Sequence, residues 1–485
     1  MTSSVRRFRL DRTYRRPGAG RVVIGGSPLR LLTVADAAVP LLEGLERDGT
    51  VTAGGAGVDR LLARLVDLGV VHPLPSDPAL DPALDHAADA EAEGSAVLTV
   101  VVPCRRTGGP HGGGAPVHPV WRSASVLVDD ASTPPLVAPP GTRLLRLDTN
   151  VGPGGARNAG LAEVTTPFVA FVDADVEVDE TALVSLLEWF DDPQVALVAP
   201  RVRAAGGASW LARFEVSRSP LDLGDEPARV APTTRVSYVP AAVVIARVDA
   251  LRAVGGFDAA LRWGEDVDLV WRLIEAGWRC RYEPSVEVRH RTRDGLRPWV
   301  GQRFRYGTSA APLEERHPGA LAPVRMSGWS VATWAPVAAG WPLVGAAIGA
   351  GSAAALTRKL RQVPASEAWR IAGLGNLYAG RLLAGTLTRA WWPIALPAAL
   401  LSRRARRVVI AAAVVPVLLD LRRERPALDP VRYAVLHLLD DLSYGAGVWV
   451  GAWRQRSLGA LRPRFESWPP RDRGGAAGGG RFRRS

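Results

Sequence analysis

The chain has 485 residues, of which 47% are hydrophobic, and a formal net charge of +12. This length allows about two to four domains and a sizeable core. The positive charge is nearly all arginine, since Lys359 is the only lysine. With no basic recognition motif to go with it, the charge argues against nucleic acid as a partner and for anionic phosphates or an anionic membrane surface. Cys104 and Cys280 make neither a metal-ligand spacing nor a disulfide framework, which points to a reducing compartment. The N-terminal stretch has no apolar run of signal-peptide length, so export by a cleaved signal is not expected.

In chain order, residues 1–20 are basic and expected to be mobile. From Arg21, Val-Val-Ile-Gly-Gly-Ser-Pro-Leu-Arg-Leu-Leu predicts two short strands around a turn. Residues 33–47 predict a helix with Thr33 as cap, 58–68 a second helix, and Val70-Val71 a closing strand. Residues 1–75 thus form a small winged-helix-like domain. It resembles the peptide-binding domains of enzymes that modify ribosomally made peptides. Residues 76–95, rich in Pro, Ala and Asp, are a linker.

Residues 96–320 alternate apolar strands with loops and helices, the pattern of a doubly wound α/β sheet. Val97–Val102 is a buried-strand run ending at Pro103, and Ser125–Val128 leads to Asp129-Asp130-Ala-Ser. Asn150-Val-Gly-Pro-Gly-Gly-Ala-Arg-Asn-Ala-Gly follows a third strand. Phe168-Val-Ala-Phe-Val then runs directly into Asp173-Ala-Asp175. On an extended chain those carboxylates share one side, and their repulsion is relieved by a hard dication, Mg²⁺ or Mn²⁺, which usually also holds substrate phosphates. Taken alone, the motif also fits a solvated acidic turn. Glu265-Asp266 opens a helix.

Residues 328–356 carry no charge, a length able to cross a bilayer, with Trp329, Trp334 and Trp341 toward one end and Arg358, Lys359 and Arg361 beyond. The shorter runs 390–402 and 408–419 flank an arginine cluster and read as an interfacial hairpin or paired half-spans. Residues 321–465 are therefore expected to be a helical, membrane-associated region at the cytoplasmic face, with a buried helical domain as the alternative. Residues 466–485 read as a disordered tail.

The Val-Val-Val-Pro strand, Asp129-Asp130 with Ser132, the glycine-rich stretch, Asp173-x-Asp175 and Glu265-Asp266 occur in one order. Together they resemble the family-2 inverting glycosyltransferases with a GT-A fold, over about residues 97–307. The resemblance implies a nucleotide-sugar donor. Pro103, Asp129 or Asp130, and Arg157 would hold the nucleotide, and Asp173 and Asp175 the metal. Asp266 would be the base, with Glu265 orienting it. Gln302, Arg303 and Arg305 resemble the family's element over the donor pyrophosphate. Trp263 either stacks on an acceptor sugar or belongs to the core. Family members often continue the first strand as Pro-x-Tyr-Asn where this chain has Pro103-Cys-Arg-Arg, so the nucleotide contact there is in doubt and Arg105 is its candidate replacement. The small N-terminal domain, the catalytic domain, the apolar C-terminal region and the stretch Arg303-Phe-Arg-Tyr-Gly-Thr-Ser-Ala-Ala-Pro-Leu-Glu-Glu-Arg-His-Pro-Gly are together similar to the glycosyltransferases of actinobacterial mycofactocin systems. That similarity implies glucosylation of a peptide-derived redox cofactor precursor from UDP-glucose, in a β-linked chain. The rival enzyme is a cell-envelope transferase with a polysaccharide or lipid-linked acceptor; the non-enzyme rival is a nucleotide-sugar sensor.

Overall fold

The structure is a computed structural model that describes residues 5–52, 55–75, 97–106, 121, 123–293 and 295–465. The expected linker, the glycine- and histidine-containing loop after Arg106 and the expected C-terminal tail lie outside these residues.

The N-terminal unit contains β1 (Val5–Leu10), β2 (Val22–Gly25), β3 (Arg30–Thr33), β4 (Thr50–Thr52) and β5 (Val71–Pro73). The basic start of the chain is not free: β1 is the middle strand of a β4-β1-β5 sheet. Alternation explains this, because Phe8 is buried against Leu42, Leu45, Leu62 and Leu65 while its arginine neighbours face outward. β2 and β3 form the expected hairpin. The first helix starts later than expected, at Val39, after a short turn Asp36–Ala38; Thr33 ends β3 and caps nothing. The unit rests on the rest of the chain through Arg279–Asp67 (2.9 Å) and Arg15–Glu367 (2.7 Å).

The central sheet contains β6 (Leu98–Cys104), β7 (Ala124–Asp130), β8 (Thr142–Leu147), β9 (Phe168–Val172), β10 (Val176–Glu177), β11 (Val195–Ala204), β12 (Ala228–Val230), β13 (Val243–Arg247) and β14 (Arg279–His290). The order is β10-β14-β11-β13-β9-β6-β7-β8, with β12 on β14. β6 to β9 are parallel, as expected for a doubly wound sheet. β13 runs antiparallel to both β9 and β11, so the whole is a mixed sheet. In β9, Val169 and Phe171 pack into the core on one face, and Ala170 and Val172 into the core on the other. A strand covered on both faces must be apolar throughout, and polar residues can appear only where it leaves the sheet. Antiparallel β13 starts where β9 stops, so the Asp173 N–H donates to the Ala242 carbonyl at 2.8 Å.

The C-terminal region corrects the expected membrane span. Residues 328–356 are not one helix: the chain breaks at Gly340 (φ +93°), giving Gly328–Ala338 and Pro342–Lys359. Gly345 lets these two pack closely, since a Cβ there would strike the Thr333 carbonyl and the Val337 side chain. The shorter runs fall in Trp392–Leu401 and Arg403–Glu424, the latter with charged residues at both ends. No helix among the described residues is long and apolar enough to cross a membrane. Helix Pro430–Arg454 lies directly on helix Leu296–Thr308, because Gly307, Gly447 and Gly451 meet backbone of the opposing helix where a Cβ would not fit.

Candidate active site

β9 ends at Val172, and Asp173-Ala-Asp175 forms a turn rather than the extended chain expected. Both carboxylates still face one cavity of about 320 Å³. Asp175 is exposed and lies 3.4 Å from His290 Nε2. Burial alone would raise its pKa, but the hydrogen bond and charge of His290 hold it below the usual carboxylate value. His290 is correspondingly raised: burial disfavours its charge, but Asp175 outweighs it. Asp173 is raised by burial, with the Arg157 guanidinium opposing the shift.

Glu265 and Asp266 line the same cavity. They open helix Glu265–Glu275 after Gly264, whose φ of +81° turns the chain into it. Asp266 Oδ1 accepts from the Val267 N–H at 2.8 Å and Oδ2 from the Ala241 N–H at 3.3 Å. Burial raises the Asp266 pKa. Glu265 is pushed up to about 7, first by burial and then by the charge of Asp266, against the pull of Arg157. Carboxyl groups raised in this way suit proton transfer near neutral pH. Asp268 is a helix-side residue held by Arg272 and His317, at 2.7 and 3.0 Å, and does not line the cavity.

Arg157 connects the two acidic groups. Its side chain is buried; Nη2 donates to Asp173 Oδ1 at 2.6 Å and Nη1 to Glu265 Oε1 at 2.8 Å. The sequence reading aimed this arginine at the nucleotide or its diphosphate, whereas here its charge is taken up by protein carboxylates. The glycines around it also serve packing. A Cβ on Gly154 would press on Glu265 and Phe257, and one on Gly160 would collide with the Val101 side chain.

The cavity gathers Arg157, Asp173, Asp175, Trp263, Glu265, Asp266, Gln302 and Arg303, but not Pro103, Asp129, Asp130 or Arg305. Pro103 sits within the ladder opposite Val128. Asp129, fully buried, accepts from the Ser132 and Leu136 N–H groups and pairs with Arg146 at 2.5 Å. Asp130 accepts from Asn150 Nδ2 and the Val151 and Gly152 N–H groups, fixing the start of the glycine-rich stretch. Arg303 is committed to Glu215 and, at 2.9 Å, to Asp440. Gln302 Nε2 donates to the Tyr306 hydroxyl at 2.9 Å. The Arg305 guanidinium lies 5.2 Å from the centre of the Trp263 ring.

The sequence reading missed Tyr238, Arg293, Tyr306, Arg389 and Tyr444, all of which line the cavity. Arg389 and Tyr444 lie in the region expected to be membrane-associated, well beyond Arg305, the last residue that the motifs single out, so nothing linked them to the site. Among the described residues, no group of three or more His, Cys, Asp or Glu forms a metal cage. Asp175, open to the cavity, and Asp173 beside it are a donor set of the kind that binds a hard dication together with phosphate oxygens and water.

The family model described as glycosyl transferase family group 2 matches residues 168–403. The pre-mycofactocin glycosyltransferase of Mycobacterium tuberculosis (strain H37Rv) is 40% identical over 478 residues, which cover 94% of this chain and 97% of that protein. The succinoglycan biosynthesis protein ExoO of Rhizobium meliloti is 32% identical over 191 residues, covering 35% of this chain and 52% of the relative. A mannosyltransferase of Pyrobaculum calidifontis, solved with GDP-Man and Mn²⁺, covers 66% of this chain and 86% of its own at 17% identity. Its TM-score of 0.31 is too low to transfer geometry. The near full-length match at this identity settles the family: the chain belongs to the family-2 glycosyltransferases, beside the pre-mycofactocin glycosyltransferase of M. tuberculosis.

Proposed function

We propose that the enzyme transfers glucose from UDP-glucose, with inversion, to a peptide-derived redox cofactor precursor, and that repeated transfer builds a short β-linked chain. The observation that carries this reading is the presence of Asp175 and Asp266 in one cavity. The name of the relative from M. tuberculosis supports the acceptor class.

In this reading the acceptor hydroxyl attacks the anomeric carbon from the side opposite the diphosphate. The bond from carbon to phosphate oxygen breaks and the hydroxyl proton passes to Asp266. Glu265, held by Arg157, keeps Asp266 in place and adds negative charge beside it. Mg²⁺ or Mn²⁺ held by Asp175 with Asp173 would supply positive charge for the departing diphosphate. Arg293 and His290 line the same cavity. The test is incubation of purified protein with UDP-glucose and extracts of cells lacking the enzyme. Mass spectrometry should show products spaced by hexose units; transfer from another nucleotide sugar alone would reject the donor.

We further propose that the enzyme works at the cytoplasmic face of the membrane without crossing it. Most of the exposed large apolar side chains belong to the C-terminal helices, among them Leu343, Leu377, Leu400, Leu401, Val431 and Trp453. Arg403, Arg404, Arg406 and Arg407 follow Leu401 and Ser402, a combination suited to an anionic bilayer surface. Flotation with vesicles containing anionic lipid should carry the protein upward; equal recovery with and without vesicles would reject this placement.

A further inference from the structure

The cavity is lined by charged groups and, among them, by aromatic ones. Arg157 bonds to both Asp173 and Glu265, and His290 lies 3.4 Å from Asp175. The aromatic groups are Tyr238, Trp263, Tyr306 and Tyr444. The half-buried Tyr238 phenol is raised by burial and then by Asp266, Tyr444 and Tyr306, while Arg389 pulls it down. Asp266 therefore lies close to the tyrosines as well as to Arg157.

Two of these groups come from the C-terminal helices. Arg389 lies in a π-helical turn, Thr386–Ala390, a local widening that often marks functional positions. The turn is pinned to helix Pro430–Arg454: Thr388 Oγ1 donates to Asp441 at 2.8 Å, and Trp449 Nε1 donates to the Ala390 carbonyl at 2.6 Å. Gly445 allows the approach, since a Cβ there would strike the Arg389 carbonyl oxygen. The Arg389 guanidinium consequently lies 3.8 Å from the centre of the Tyr444 ring. Its charge is countered by Asp441 at 3.1 Å and Asp440 at 3.9 Å. A guanidinium balanced in this way is a poor phosphate ligand; it covers one face of the Tyr444 ring, so the flat, polarisable surfaces that the pair can offer the cavity are the outer guanidinium plane and the second ring face. Such surfaces stack on the faces of hydroxyl-bearing rings.

We infer that Tyr444 and Arg389 form the acceptor subsite, holding the ring that carries the attacking hydroxyl and making the C-terminal helices part of the catalytic cavity. This rests on the transferase reading above and names the acceptor side of its site. Two kinds of ring share the required chemistry: a hydroxyl-bearing aromatic ring and a sugar ring.

The test measures equilibrium binding of N-acetyltyramine and of methyl β-glucoside, each with UDP present, to the wild type and to Tyr444→Leu and Tyr444→Phe. Leucine keeps the apolar bulk and removes the ring face; phenylalanine keeps the face. The inference expects at least one ring to bind wild type, to lose on the order of tenfold in affinity in Tyr444→Leu, and to recover in Tyr444→Phe. The ring that responds identifies the source. Unchanged ring affinity in Tyr444→Leu, or binding of neither ring to wild type, would overturn it. UDP-glucose affinity, measured on the same samples, reports separately on the transferase reading, and its loss in Tyr444→Leu alone would place Tyr444 on the donor side instead. If Tyr444→Leu does not fold, Arg389→Lys, which keeps the charge and removes the flat guanidinium, is held to the same expectation.

Discussion

Arg157 donates to Glu265 at 2.8 Å across 108 residues of chain, tying the glycine-rich helix to the helix that carries Glu265 and Asp266. The same guanidinium holds Asp173, so one buried cation sets the spacing between the strand-end carboxylates and the Glu265–Asp266 pair. Removing one partner of a buried ion pair leaves an uncompensated charge, at a cost of about 3–5 kcal/mol. Arg157→Ala is accordingly expected to lower unfolding stability by roughly that amount in urea titrations. A loss under about 1 kcal/mol would mean that Arg157 acts on ligand rather than on the fold.

The pH dependence follows from the raised carboxyls. A raised folded-state pKa means that the native state holds a proton the unfolded chain has released, so stability falls as pH rises between the two values. For Glu265 that window runs from the ordinary 4.5 to about 7. Glu265→Gln should flatten this part of the wild-type stability curve, as read by thermal melts across pH. The proposed base must be ionised to work, so acceptor kcat/KM should decline as pH falls, with an apparent pKa of the Glu265–Asp266 pair above the usual carboxylate range. An acid limb at about pH 4 would contradict this.

Asp175 is exposed and lies outside the packed sheet. Asp175→Ala is expected to leave the melting temperature within about 2 °C of wild type, since surface substitutions away from packed features cost little. Transfer should fall by two orders of magnitude or more, about the loss of a strong charge-stabilising group. Chelation of divalent ions should abolish wild-type transfer, and added Mn²⁺ or Mg²⁺ should restore it. Full turnover in chelator would remove the metal from the account.

Asp440 joins the two halves of the chain through its 2.9 Å contact with Arg303, which also pairs with Glu215. Asp440→Ala leaves Arg303 buried with one anion fewer, so a loss of about 3 kcal/mol is expected. The same change should loosen helix Pro430–Arg454 from helix Leu296–Thr308, raising hydrogen exchange in both. Exchange raised only in Pro430–Arg454 would show that Arg303 does not couple them.

The place of the strand-end carboxylates at the cavity was readable because β9 is apolar until it leaves the sheet, so Asp173 and Asp175 stand out as the first polar residues. Glu265-Asp266 was readable as the start of an amphipathic helix. The role of Arg157 was not, since its partners are 16 and 108 residues away and ion pairing leaves no local pattern. β1 was missed because its alternating arginines and apolar residues look like a basic tail until the core beneath Phe8 is seen. Residues 328–356 show the limit of hydropathy alone: one glycine at positive φ turns a span-length run into two packed helices. Arg389 and Tyr444 reach the cavity only through that helical packing, so no nearby motif announces them.

The most direct measurement compares Asp266→Asn with wild type for UDP-glucose affinity and sugar transfer on the same preparation. Asparagine keeps the shape of the side chain and removes its ability to take a proton. The account predicts donor affinity within about twofold of wild type and transfer reduced at least a hundredfold, the usual contribution of a positioned base. Transfer within tenfold of wild type, with donor bound normally, would show that some other group receives the acceptor proton.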